Sequence, residues 1–105
     1  MKYLITESQF DKLIFKYLDN QDFIQIKKND FVYFVNSEGD EYAQIRFEKN
    51  DGWCYIHWKL IEEISTFFSM NEFDSEQVIG KWVEHTLQMK VTKTRGGHVD
   101  YSPLD

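Results

Sequence analysis

The stretch FVYFVNSEGDEYAQIRFEKNDGWCYIHW, residues 31–58, decides the fold. Eight aromatic residues stand in these 28 positions. The runs FVYFVN, EYAQIRFE and WCYIHWK are parted by SEGD and NDG, so strand and turn signals alternate at hairpin spacing.

Side chains on a strand alternate between faces, so the two hairpins can be checked against each other. A two-residue turn at Asp51 and Gly52 sets Phe47 opposite Ile56, Ile45 opposite Trp58, Arg46 opposite His57 and Glu48 opposite Tyr55. A four-residue loop from Ser37 to Asp40 sets Phe34 opposite Ala43 and Val32 opposite Ile45. Both hairpins then agree on one apolar face of Val32, Phe34, Ala43, Ile45, Phe47, Cys54, Ile56 and Trp58. The other face carries Phe31, Tyr33, Tyr42, Gln44, Arg46, Trp53, Tyr55 and His57. That mixture is too aromatic for ordinary solvated surface and too polar for core, so it must touch something.

Working outward, Thr6-Glu7-Ser8-Gln9 reads as a capping box, and Phe10, Leu13, Ile14, Tyr17 and Leu18 follow one helical stripe. A helix over Glu7 to Leu18 follows, ended by Asp19 and Asn20, and Phe23-Ile24-Gln25-Ile26 can open the sheet as a further strand. After Trp58 the period returns to 3.6: Leu60, Ile61, Ile64, Phe67 and Phe68 make one stripe. Asp74 caps a third helix, with Gln77 at its third position and Val78, Ile79, Trp82, Val83 and Leu87 as its apolar side. MKVTKT beyond it alternates and can add a strand, whereas Arg95-Gly96-Gly97 and Pro103 point to a loose end. The expected architecture is α+β: an N-terminal helix, a three- to four-stranded antiparallel meander, and two C-terminal helices packed on the sheet. Residues 1–89 form a single domain, and 90–105 a C-terminal tail with a basic start.

A chain of 105 residues buries roughly two thirds of its unfolded surface as one domain. The net charge of -6 argues against non-specific binding to duplex nucleic acid or an anionic membrane, both of which are held by basic charge. No apolar run approaches the roughly 18 residues a span requires, and MKYLITES lacks a signal-peptide core, so the expectation is a cytosolic protein with no membrane association. The lone Cys54 excludes an internal disulfide and reads as a buried thiol.

Catalytic chemistry finds little to hold. His57, His85 and His98 share no metal-ligand spacing, and Cys54 and His57, three apart on a strand, point to opposite faces. No GxSxG elbow, P-loop or GxGxxG is present. Glu62, Glu63, Glu72, Asp74 and Glu76 gather around the junction of the last two helices, and DSEQ there reads as a helix start, where carboxylates satisfy free amides and complement the dipole. The reading is therefore a non-enzyme without cofactor or metal. The candidate binding set is Tyr33, Gln44, Arg46, Trp53, Tyr55 and His57, residue types that also clamp single-stranded nucleic acid on open sheets. The competing reading has the N-terminal helix or another subunit covering this face. FVYFVN, apolar on both faces and without Pro, is an aggregation hazard as an edge, and with the aromatic excess it leads us to expect a homodimer.

Two blocks, KYLITESQFDKL and DEYAQIRFEKNDGWCYIHWKLIEEISTFFS…DSEQVIGKWVEHTLQMKVT, resemble small proteins of unknown function encoded by tailed, myovirus-type phages of marine bacteria. That resemblance spans most of the chain apart from the last dozen residues and brings no catalytic residues. It implies a phage-encoded interaction or assembly module in the host bacterial cytoplasm or the virion. A single-stranded nucleic-acid binder is the alternative.

Overall fold

The structure, a computed structural model of the chain, describes residues 7–37 and 39–101. Along them run α1 (Glu7–Asp19), β1 (Ile24–Lys28), β2 (Phe31–Val35), β3 (Ile45–Glu48), β4 (Trp53–His57), α2 (Trp58–Phe68), α3 (Glu72–Leu87) and β5 (Lys93–Gly97). The α+β class is as expected. The sheet is larger, with five strands in the order β1-β2-β3-β4-β5. Its first four strands are antiparallel neighbours, but β5 returns through α2 and α3 to lie parallel to β4, so the sheet is mixed. Parallel neighbours require such a long crossover, and the two helices supply it.

Both hairpins differ from the expected register by two residues. Ile45 pairs with Ile56 and Phe47 with Cys54, so the β3–β4 loop has four residues. The turn is fixed by its own groups: Gly52 N–H donates to the Glu48 carbonyl, Asp51 Oδ1 accepts from Trp53 N–H, and Lys49 N–H reaches the Asp30 carbonyl of the neighbouring turn. In the other hairpin Phe34 pairs with Ile45 and Val32 with Phe47. Asp40 Oδ2 accepts from the amides of Asn36 and Ser37, and Tyr42 and Ala43 leave the hairpin to pair with residues 99–100. An even slip preserves side-chain parity, so most of the face assignment survives.

The core lies between the helices and one sheet face. Val32, Phe34, Ile45, Phe47, Cys54 and Ile56 pack there against Ile14 and Leu18 of α1, Leu60, Ile61 and Ile64 of α2, and Val78, Ile79, Trp82 and Val83 of α3. Trp82 meets the rings of Phe34 and Phe23, and its indole N–H donates to Asp19 Oδ1 at 2.9 Å, tying α3 to the end of α1. Gly80 lets α3 approach β5, because a Cβ there would lie 2.4 Å from Thr94 Cγ2. Burial raises the Cys54 thiol to about 12, with the Glu76 carboxylate adding to the shift, so it is inert.

Several expectations need correction. Ala43 joins a second cluster on the opposite face, with Val35, Val99 and Tyr101. Trp58 opens α2 and is 48% exposed, because β4 runs straight into the helix and rotates it out of the sheet. Leu13 of the α1 stripe is exposed and Leu87 only partly buried. The α3 cap is Asn71, whose side chain accepts from Asp74 N–H at 2.7 Å. The Arg95-Gly96-Gly97 run is strand, and MKVT is its approach. The Thr6 capping box lies outside the described residues. Finally, β2 is interior, flanked by β1 and β3, so FVYFVN is not an edge and that argument for a homodimer is removed. No helix among the described residues is long and apolar enough to cross a membrane.

Candidate functional site

Pairing fixes what lies side by side on the sheet face turned away from the helices. One row across all five strands reads Ile26, Tyr33, Arg46, Tyr55, Arg95; the next reads Lys28, Phe31, Glu48, Trp53, Lys93. Lys28, Arg46, Lys93 and Arg95 therefore stand against Glu48 alone in these rows, on a chain whose net charge is -6. Burial raises the Glu48 carboxyl above its ordinary range and nearby Asp51 adds to this, while Arg46 pulls it down.

Arg46 is its centre. The guanidinium carbon lies 4.6 Å from the Tyr55 ring centroid and 5.5 Å from that of Phe31, within cation–π range. Its Nε–H is buried and meets no acceptor among the described residues. An unsatisfied donor on a charged group costs stability, so an incoming oxygen acceptor at this guanidinium is worth more than at a fully bonded one. Lys93 Nζ sits 4.6 Å over the Trp53 ring, whose centroid is 6.0 Å from that of Tyr55.

The far end of this face is covered by the chain's own C-terminal segment. Ala43 N–H donates to the Val99 carbonyl, Tyr42 bridges Asp100, and Val99 and Tyr101 bury themselves on Val35 and Ala43. The Tyr101 ring lies 5.2 Å from Tyr33, and Lys28 Nζ reaches over it at 5.4 Å. The N-terminal helix plays no part, since α1 packs in the core on the other side.

Of the six candidate residues, the structure brings Arg46, Trp53 and Tyr55 together on the accessible part, with Tyr33 half-buried at the border with Tyr101. Gln44 and His57, at 7% and 2% exposure, are withdrawn from that surface. Gln44 continues the ladder through its backbone, N–H to the Phe34 carbonyl and carbonyl to His57 N–H, each at 2.8 Å. His57 ends β4 and caps α2: Nδ1 accepts from Lys59 N–H at 3.2 Å, and the ring lies between Tyr42 at 4.3 Å and His98 at 5.3 Å. Burial lowers its pKa, helped by His98 and Lys59. Missing from the expected set are Lys28, Phe31, Glu48, Lys93 and Arg95. Phe31 was legible from parity, but Lys93 and Arg95 required β5 to be recognised as a strand.

A second concavity lies on the helical layer, an open groove of about 560 Å³ along α2 between Trp58 and Phe67. Comparison of the chain with protein-family models, curated proteins and solved structures finds no match.

Proposed function

We propose that this protein is a phage-encoded, non-enzymatic interaction module, a minor virion or host-interaction component, whose open sheet face takes an acidic segment of a partner protein. The observation that supports this most is Arg46 with its unmatched donor, held between Phe31 and Tyr55 and flanked by Lys93 and Arg95. Carboxylates pair with such a guanidinium in bidentate fashion, and aromatics with Arg are the composition of interface centres. Site of action on this reading is the host bacterial cytoplasm or the virion.

The same face offers cations and rings to a nucleic-acid strand, which is the second reading. It is disfavoured because Arg46 and Lys93 already occupy positions over Tyr55 and Trp53, where bases would have to stack. Titration of the labelled protein with a glutamate-rich peptide and with oligothymidylate separates the two. We expect the peptide to shift the Trp53 indole and Tyr55 resonances, and Arg46→Glu to abolish that shift while the thermal midpoint stays nearly unchanged. Binding of oligothymidylate alone transfers the site to nucleic acid, and binding of neither removes it. Mass spectrometry of purified particles tests the virion assignment, and sedimentation equilibrium tests self-association.

A further inference from the structure

The two sides of β5 carry opposite charge. On the open face stand Lys93 and Arg95, in register with Trp53 and Tyr55. On the helical side a hollow of about 430 Å³ adjoins Gly96 and Gly97, walled by the apolar Trp58, Ile61 and Phe73. Glu62, Glu72 and Glu76 also line it. Phe73 is 69% exposed, which is a large apolar side chain left in solvent at the first turn of a helix.

Between those two sides runs a strand edge. Among the described residues β5 pairs only with β4, so its outer backbone groups are unpaired over Lys93–Gly97. Edge strands are ordinarily blunted by side chains, bulges or a covering segment. The last two positions here are glycines, with no side chain to shield the main chain. The opposite edge, β1, places Lys27 on one face and Lys28 on the other.

We propose that the β5 edge accepts an extended segment of a partner protein by strand addition. The segment alternates acidic side chains toward Lys93 and Arg95 with apolar and basic side chains toward the Phe73 hollow. Main-chain hydrogen bonds supply affinity in this mode, and pockets for alternate side chains supply specificity. Charge selects against a second copy of this chain. Joined through β1, a copy brings Lys28 onto the face of Lys93 and Arg95; joined through β5, it doubles the same two cations. The site shares Lys93 and Arg95 with the Arg46 patch but does not use Arg46 itself, and it adds the β5 main chain and the Phe73 hollow.

The probe is a short synthetic peptide alternating glutamate with phenylalanine and lysine. Its control has the same composition with the glutamates in one block, so that no two-faced strand can form. The expected result is that the alternating peptide shifts the amides of Lys93–Gly97 and slows their hydrogen exchange. Phe73→Ser and Glu72→Lys, both at exposed positions, should weaken it on the order of tenfold each. Shifts confined to Trp53 and Tyr55, equal binding of the control, or no binding would overturn the proposal. So would β5 protection that rises with protein concentration in the absence of peptide, which would mean that copies of the chain pair there.

Discussion

At the scale of single residues, His57 links sheet, helix and solvent conditions. Its ring must be neutral for Nδ1 to accept from Lys59 N–H, and burial first, then His98 and Lys59, disfavour a proton there, as does the helix N-terminus. Asp100 Oδ1 stands 2.9 Å from Nε2 of His98. An unfolded histidine titrates near pH 6.5. With the folded value lowered, the unfolded state binds more protons below about pH 6.5, so the His57 contribution is complete above that pH and is lost as pH falls through it. Glu48, raised in the folded state, acts with the opposite sign, so the comparison between variants is the informative one. His57→Asn retains a capping side chain without the titration. We expect the urea midpoint of the parent to fall more steeply between pH 7 and pH 5 than that of His57→Asn; parallel profiles would remove His57 as the acid-sensitive cap.

At the scale of elements, the contact between α3 and β5 carries the crossover. Gly80→Ala puts a methyl 2.4 Å from Thr94 Cγ2, and Thr94 Oγ1 also accepts from Gln77 at 2.9 Å, so neither element can yield freely. The expected loss is about 1 to 3 kcal/mol of unfolding free energy. Thr94→Ser keeps the hydroxyl and deletes the obstructing methyl, and should restore much of it in a double-mutant cycle by chemical denaturation. This element also marks the limit of what sequence could reveal. The meander was legible because β-branched and aromatic residues alternate in it, and α2 and α3 because Ile61, Ile64, Val78 and Trp82 recur at helical spacing. KTRGG has neither signal: its strand state comes from the β4 ladder and from α3, both remote in sequence. The same cause hid Lys93 and Arg95 from the candidate site. The two-residue slips arose because Asp30, Asp40 and Asp51 choose the loop lengths through side-chain and cross-turn hydrogen bonds that alternation cannot register.

At the scale of the whole molecule, the sheet is sealed on one side by helices and covered at the far end of the other by a few residues after β5. Val99 and Tyr101 are buried there, and removal of everything beyond Gly97 exposes Val35 and Ala43. At about 1.5 to 3 kcal/mol for each buried side chain, that truncation should cost about 3 to 6 kcal/mol, read as a lower denaturant midpoint and new binding of a hydrophobic dye. A midpoint equal to the parent's would show that the segment is dispensable. The strap also sets an order of events during biosynthesis. Chains emerge N-terminus first at about 5 to 20 residues per second, so β1 to β4 leave the ribosome ahead of both their parallel neighbour and their covering strap. For several seconds the nascent meander has its β4 edge unpaired, in addition to the β1 edge, and a bare apolar end. A translation pause between Leu87 and Tyr101 would prolong the state in which this protein is most exposed to chaperones and to pairing with the wrong chain.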